Sequence, residues 1–174
     1  MGKLSKELLQ KEFDRITSII QSDNNLYGVL QVFKYELLEL RESKKPASIK
    51  HHHSGNYGLL EHTIEVCNIL EHMANIYDLD KTLLLAAGLL HDLGKLDEYG
   101  INGEKKVKID NGNINHTQYV YSILKHRGYY NLADIIGTHM GRIEWGAIKD
   151  IESKTCKSNW ALHLADMMSA KLGD

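Results

Sequence analysis

"DLDKTLLLAAGLLHDLGK", residues 78–95, is the most hydrophobic segment of the chain. Asp80 is placed to cap a helix here, because its carboxylate can accept hydrogen bonds from the first backbone amides of the helix. The residues that follow are apolar on almost every side, which is typical of a helix at the centre of a domain. The segment ends with the doublet His91 and Asp92 and with Lys95. It therefore predicts a central helix that carries polar side chains into the core.

On both sides of this segment, apolar residues recur at spacings of three and four, as in amphipathic helices. The pattern predicts helices over 4–20, 26–42, 115–126, 130–140 and 157–172, and another that begins after Gly58. The buried stripe of this last helix is expected to hold Leu59, Thr63, Val66, Leu70, Met73 and Tyr77. The segment "VKIDNGNI", residues 107–114, has an Asn-Gly pair between short β-prone pieces, which indicates a hairpin. The predicted fold class is therefore all-α, a compact helical bundle with one small β-hairpin.

Composition limits the possible classes of function. The net charge is −2, so no strong basic field attracts long nucleic acids. Two cysteines, Cys67 and Cys156, are too few for a disulfide framework. The N-terminal "MGKLSK" lacks the apolar region of a secretory signal, and no apolar run is long enough to span a membrane. These features predict a cytoplasmic protein that does not interact with membranes.

Four residues that can bind a metal fall on faces predicted to be buried, namely His62, His91, Asp92 and Asp166. A buried carboxylate costs several kcal/mol unless it is paired or bound to a metal. Imidazole and carboxylate ligands on three helices of one core could therefore surround a divalent cation. Such ligands suit Mn²⁺, Fe²⁺, Ni²⁺, Zn²⁺ or Mg²⁺, and the sequence does not choose among these metals. The alternative is that the four side chains satisfy one another without a metal.

Four segments follow one another in the order of a known superfamily. They are "HHHSGNYGLLEHT" (51–63), "HDLGKLDEY" (91–99), "THMGRIEWG" (138–146) and "ALHLADMMSAKL" (161–172). Together they resemble the HD-domain metal-dependent phosphohydrolase superfamily. They are most similar to the HD module of bacterial 3′–5′ exoribonucleases, which pair it with an OB-fold. The resemblance implies a single domain over 1–174, with an HD core over 48–172. The extension over 1–45 is predicted to be helical and leaves no room for an OB-fold.

The resemblance also implies which residues bind the metal. One divalent ion would be held by His62, His91, Asp92 and Asp166. Some HD families hold a second metal with further histidines, and the matching positions here are His116 and His139. Several relatives carry two consecutive histidines where this chain has His139 followed by Met140, and methionine is a poor ligand for a hard cation. One metal site is therefore expected, and a second site is possible with one ligand fewer.

The chemistry that the resemblance implies is hydrolysis of a phosphate ester by a metal-activated water. Asp92 and Lys95 are the predicted catalytic residues. Asp92 would orient the water or bridge two metals, and Lys95 would contact a phosphate from the same helix face. Substrate contacts are predicted for residues of two loops and for this lysine, namely His52, His53, Lys95, Arg142 and Glu144.

The predicted function is that of a metal-dependent phosphohydrolase, either a nucleotidase or a phosphodiesterase of the exonuclease type. Its substrate would be a phosphomonoester or phosphodiester of a nucleotide, or the 3′ end of a short single-stranded nucleic acid. The alternative is a catalytically silent regulatory HD module that binds metal and nucleotide, which Met140 favours. The sequence does not indicate an oligomeric state.

Overall fold

The computed structural model of the chain describes residues 5–48, 53–98 and 115–172. All regular structure in these three ranges is helical, and they contain no β-strand. The α-helices are α1 (Lys6–Gln21), α2 (Tyr27–Val32), α3 (Lys34–Glu42), α4 (Gly58–Tyr77), α5 (Lys81–Leu90), α6 (Lys95–Glu98), α7 (His116–His126), α8 (Tyr130–Gly137) and α9 (Lys157–Leu172). A 3₁₀ turn, Ile143–Trp145, precedes α9. The predicted all-α class is confirmed, whereas the hairpin at 107–114 falls outside the described residues and has no support.

Helix α5 lies at the centre of the fold, as its apolar sequence predicts. The residues from Leu84 to Leu90 are all buried, and α5 contacts α1, α4, α8 and α9. Asp80 caps the helix, because its carboxylate accepts a hydrogen bond of 2.9 Å from the amide of Leu83. Burial of each leucine in this segment contributes about 2 kcal/mol. His91 and Asp92 directly follow the last turn and are therefore held inside the core.

Helix α4 packs against α5 and α9 and brings His62 into the same interior. The predicted stripe is buried at Leu59, Thr63, Val66 and Leu70 and partly buried at Met73. The prediction is wrong at Tyr77, which is 57% exposed. The last turn of α4 extends beyond its neighbours, since Ile76 is 72% exposed as well.

No helix in the part of the chain that the structure describes has the length and hydrophobicity that a membrane span requires.

The N-terminal helices pack into the same hydrophobic core as the later ones. Helix α1 begins after Ser5, whose hydroxyl oxygen accepts a hydrogen bond of 3.3 Å from the amide of Leu8. The single helix predicted over 26–42 is wrong, because the chain forms α2 and α3 with a break at Phe33. Phe33 has φ −105° and ψ 24° and is completely buried. No glycine or proline stands at the break, so the packing of Phe33 is its physical cause.

Helix α8 ends at Gly137, before the predicted end at residue 140. The amide of Ile148 donates a hydrogen bond of 2.7 Å to the carbonyl of Gly137, which a continuing helix would have used itself. The amide of Gly141 instead donates to the carbonyl of Thr138 at 2.8 Å. Residues 138–140 therefore form a turn. The turn brings the ring of His139 beside that of His91, with centroids 5.2 Å apart.

Candidate metal centre

Three helices bring together the first group of candidate ligands. His62 on α4, His91 after α5 and Asp166 on α9 each offer one ligand atom, and these atoms lie within 4.8 Å of one another. The Nε2 atom of His62 lies 3.2 Å from Oδ1 of Asp166. The Nε2 atoms of His62 and His91 are 3.4 Å apart, and both rings are fully buried. The three side chains thus present their ligand atoms to one common point.

Asp92, His116 and His139 form a second group, whose ligand atoms also lie within 4.8 Å of one another. His116 is the first residue of α7, and His139 lies in the turn after α8. Oδ1 of Asp92 is 3.4 Å from Nε2 of His116 and 3.9 Å from Nε2 of His139. The structure therefore places these two histidines on the opposite side of Asp92 from His62.

Asp92 joins the two groups. Its Oδ1 faces the second group, whereas its Oδ2 is 3.4 Å from Nε2 of both His62 and His91. The ammonium of Lys95 lies 2.6 Å from the same Oδ2. Burial works to raise the pKa of Asp92, but the positive charges of Lys95 and His91 outweigh it and hold this pKa well below its usual value. Asp92 is thus an ionised carboxylate that directs one oxygen to each group.

Close packing at Gly94 sets the position of the second group. A Cβ atom on Gly94 would lie 2.5 Å from Cα and 2.6 Å from the carbonyl oxygen of His116. Helix α7 can therefore begin this close to Asp92 only because residue 94 has no side chain. Asn115 caps α7, since its side chain accepts a hydrogen bond of 2.8 Å from the amide of Gln118.

Backbone carbonyls orient two of the imidazoles. The Nδ1 atoms of His91 and His139 lie 2.8 Å from the carbonyl oxygens of Gly88 and Ile136, respectively. A carbonyl can only accept a hydrogen bond, so each Nδ1 carries the hydrogen and donates it. In the neutral ring the Nε2 atom then has the lone pair, and it points into the site. Metal-binding histidines are generally held in this way.

The buried polar atoms of the site fit a divalent cation. Oδ1 of Asp92 and Nε2 of His139 have no hydrogen-bond partner within the described ranges. Leaving a buried polar atom unpaired costs about 1–3 kcal/mol, so most such atoms have a partner. Burial and the nearby positive charge of His91 lower the pKa of His139 to about 3, which keeps its ring neutral. Both atoms can therefore donate a lone pair to one cation.

Asp166 and His91 of the first group shift each other's pKa. Burial alone would lower the pKa of His91, but the carboxylates of Asp92 and Asp166 outweigh burial and raise it. Burial works to raise the pKa of Asp166 as well, yet the contact with His62 and the charge of His91 lower it below its usual range. Two ionised carboxylates in a buried space favour a positive ion between them.

The residues predicted to contact substrate lie in different surroundings. His53 is only 5% exposed, and its ring faces the carboxylates of Glu61 and Glu65 rather than the solvent. His52 lies outside the described residues. Lys95 is partly buried beside Asp92. Two of them contact a residue of the ligand groups: Lys95 contacts Asp92, and the ring of His53 lies beside that of His62, with centroids 5.5 Å apart. The substrate role predicted for these residues stays a prediction.

Arg142 and Glu144 are exposed at the 3₁₀ turn, next to Trp145, which is 61% exposed. This turn is connected to the site through Asn115, the residue before His116. The side-chain amide of Asn115 donates a hydrogen bond of 2.9 Å to the carbonyl of Gly146. The turn is therefore tied to the start of α7, and the substrate contacts predicted for Arg142 and Glu144 stay predictions.

Ser169 and Glu65 adjoin the site, and sequence reasoning missed both. The hydroxyl oxygen of Ser169 is 2.9 Å from Nδ1 of His62 and 2.9 Å from Oε2 of Glu65. One sequence signal could have found them. Ser169 follows Asp166 by three residues, and Glu65 follows His62 by three, which places each on the helix face of a ligand.

His163 supports the turn that carries His139. Its Nδ1 atom donates a hydrogen bond of 2.7 Å to the carbonyl of His139. The ring packs directly on Gly141, where a Cβ atom would lie 2.6 Å from its Cε1. Gly141 also has a φ of +81°, a conformation that favours glycine. The turn is thus fixed by both α9 and its own backbone.

Comparisons with known proteins identify similar chains. A sequence model of the HD domain matches residues 59–170. Curated relatives include the 3'-5' exoribonuclease YhaM of Bacillus subtilis, Bacillus velezensis and Bacillus licheniformis. Each is 28% identical over 137 residues, which are 73% of this chain and 43% of the relative. The chain therefore spans less than half the length of these relatives. No solved structure shows a significant match.

Proposed function

The chain belongs to the HD domain family, and from this premise we propose that it hydrolyses a nucleotide or the 3′ end of a short single-stranded nucleic acid. The family and the exoribonuclease relatives support a metal-dependent phosphohydrolase at the family level. The substrate and the type of ester are the part that we propose. The relatives named as exoribonucleases make single-stranded RNA the first substrate to test.

The position of Asp92 carries this proposal. Its carboxylate is 2% exposed and lies between two groups of imidazoles, with one oxygen directed to each. A carboxylate shared in this way can hold two cations close together or hold one cation and a water molecule. A divalent cation bound there would lower the pKa of an adjacent water molecule and supply positive charge to phosphoryl oxygens.

Two residues of the chain would supply the remaining functions of the site, which are to orient the water and to bind the phosphate. We assign Asp92 to orienting the attacking water, because its Oδ1 faces His116 and His139 and has no hydrogen-bond partner among the described residues. We assign Lys95 to binding a phosphate oxygen of the substrate. Its ammonium is already within the site and is a compact donor of three hydrogen bonds.

A catalytically silent, metal- and nucleotide-binding module is the second candidate. The observation that favours it is Met140, which follows His139 where several HD relatives have a second histidine. Methionine cannot replace imidazole as a ligand for a hard cation. Such a module would bind metal and nucleotide without turnover.

A turnover assay separates the two candidates. Hydrolysis of bis-p-nitrophenyl phosphate is measured with Mn²⁺, Fe²⁺, Ni²⁺, Zn²⁺ and Mg²⁺, followed by nucleoside phosphates and short RNA and DNA. We expect Asp92→Ala to lower the rate by at least about a hundredfold, as the loss of a group that stabilises the transition state does. Asp97→Ala is the matched control, because Asp97 is exposed and belongs to neither ligand group.

The proposal fails if the wild-type protein hydrolyses none of these compounds with any of the five metals. Metal and nucleotide binding without turnover would support the silent module instead. An equal rate for Asp92→Ala and wild type would show that hydrolysis occurs elsewhere.

A further inference from the structure

A second polar cluster lies directly behind the first ligand group, at the contact between α4 and α9. Each helix contributes a ligand and a second polar residue one turn later. On α4 these are His62 and Glu65, and on α9 they are Asp166 and Ser169. Residues three apart lie on the same face of a helix. The polar cluster and the candidate ligands are therefore adjacent on both helices.

The hydrogen bonds of Ser169 have a defined direction. Its hydroxyl has one hydrogen, and its oxygen lies 2.9 Å from a carboxylate oxygen of Glu65. A carboxylate only accepts, and a hydrogen bond to an ionised acceptor is stronger than one to a neutral acceptor. Ser169 therefore donates to Glu65. Toward Nδ1 of His62, at 2.9 Å, Ser169 can then only accept.

This direction determines which nitrogen carries the hydrogen in the neutral ring of His62. If Ser169 accepts, Nδ1 of His62 must carry the hydrogen. The Nε2 atom then presents its lone pair on the side of Asp166 and Asp92, which lie 3.2 Å and 3.4 Å away. Ser169 thus directs a hydrogen to Nδ1 of His62, as the carbonyl of Gly88 does for Nδ1 of His91.

His53 holds the other end of the cluster. Its Nε2 atom is 3.2 Å from Oε2 of Glu65 and 3.3 Å from the hydroxyl of Ser169. The backbone of His53 has a φ of 47°, a left-handed conformation that is uncommon outside glycine. Its carbonyl accepts a hydrogen bond of 3.1 Å from Ala47 and closely contacts Gly58, where a Cβ atom would lie 1.8 Å from the carbonyl oxygen.

We propose that Ser169, Glu65 and His53 are positioning residues that hold His62 with its Nε2 lone pair directed at the metal site. This inference depends on the proposed function, since it concerns a ligand of the proposed metal. In this proposal His53 helps to position His62, whereas the sequence analysis predicted that His53 contacts the substrate. Metal ligands generally need such outer hydrogen bonds, and removal of one typically lowers metal affinity 10- to 100-fold, as an order of magnitude.

The first experiment measures Zn²⁺ affinity by competition with a chromophoric chelator. Zn²⁺ suits the test because a given set of nitrogen and oxygen ligands binds it more tightly than Mn²⁺ or Fe²⁺. We expect Ser169→Ala to weaken Zn²⁺ binding by roughly 10- to 100-fold. Glu65→Gln, which keeps the side-chain shape, should weaken it in the same direction and provides the test should Ser169→Ala not fold.

Ser158→Ala is the matched control. It makes the same substitution at another buried serine of α9, about 16 Å along the helix from Ser169. Its affinity for Zn²⁺ should stay within about twofold of wild type. The inference is overturned if wild type binds Zn²⁺, Asp166→Ala does not, and both Ser169→Ala and Glu65→Gln bind as tightly as wild type. If wild type binds no metal, the proposed function itself has failed.

The second experiment reads the protonation of His62 directly. Long-range ¹H–¹⁵N spectra of the Zn²⁺-loaded protein distinguish a ring protonated at Nδ1 from one protonated at Nε2, and His62→Asn identifies the signals. We expect a hydrogen on Nδ1 that exchanges slowly in wild type and in Ser158→Ala, and rapidly in Ser169→Ala. A His62 ring that carries its hydrogen on Nε2 in wild type would overturn the inference, whatever the affinities.

Discussion

The ammonium of Lys95 is the positive charge that most directly compensates the buried carboxylate of Asp92. Their contact is 2.6 Å long, and the two side chains are 14% and 2% exposed, so water screens it little. The nearby imidazoles provide only part of the compensating charge, because His139 stays neutral near pH 7. Lys95 therefore has a structural role in the metal-free protein in addition to the phosphate contact that we propose.

We expect Lys95→Met to lower the free energy of unfolding of the metal-free protein by about 2–3 kcal/mol, because it leaves a buried charge without its cation. Urea unfolding in the presence of a chelator measures this. The loss should be smaller with bound metal, which neutralises the same carboxylate. Lys81→Met is the control, since the contact of Lys81 with Glu71 is 3.6 Å long and more exposed, and should cost less than about 1 kcal/mol. Equal losses for the two variants would contradict this role.

At the scale of elements, the approach of α7 to the residues after α5 depends on Gly94. We expect Gly94→Ala to cost about 1–3 kcal/mol, because the added Cβ overlaps the backbone of His116 rather than a side chain that could move. The displaced His116 should also weaken metal binding by the second group. Thermal unfolding and Zn²⁺ titration measure the two effects.

The control for this change is Gly128→Ala. Gly128 has a φ of +83°, but nothing lies within 4 Å of the position of a Cβ atom there. Its substitution should cost about 1 kcal/mol of backbone strain and leave Zn²⁺ binding unchanged. A Gly94→Ala protein that binds Zn²⁺ with the stoichiometry and affinity of wild type would show that the contact with His116 is not needed.

The sequence predicted the elements whose signals are local. Helix α5 could be predicted from its apolar run and from the capping residue Asp80. The doublet His91 and Asp92 could be recognised because two polar residues interrupt that run. The break at Phe33 and the early end of α8 have no local signal. The first depends on the burial of one side chain, and the second on a hydrogen bond from Ile148, eleven residues after Gly137.

Candidate ligands were easier to predict than the residues that orient them. A buried histidine or aspartate is conspicuous in an apolar pattern, and the order of motifs added His116 and His139 by resemblance. By sequence, Ser169 is marked only by its spacing of three residues from Asp166. Its contacts with His62 and Glu65 depend on the register of α9 against α4, which a single sequence does not encode.

At the scale of the whole molecule, the ligands come from segments spread between His62 and Asp166. The two groups therefore exist only when α4, α5, α7, α8 and α9 are packed together. A ligand set of this kind couples metal binding to folding, because the unfolded chain has no comparable site.

We accordingly expect saturating metal to stabilise the folded protein. At a free concentration of one hundred times Kd, the gain is about 2.7 kcal/mol. Calorimetry with and without chelator measures it as a rise in Tm. Asp166→Ala should lose this rise. Asp14→Ala should keep it, because Asp14 is exposed, pairs with Arg41 and belongs to neither group. A Tm that does not respond to metal in the wild type would exclude a site of useful affinity.

The exposed 3₁₀ turn Ile143–Trp145 also has a consequence for the evolution of the chain. The doublet His91 and Asp92 belongs to the segment that builds the core, so substitutions there change stability and chemistry together. The side chains of the turn are exposed and pack against little, while its backbone is tied to Asn115. We therefore expect a lineage to exchange Arg142, Glu144 or Trp145 at little cost in fold stability, and the substrate contacts predicted for Arg142 and Glu144 would change with them.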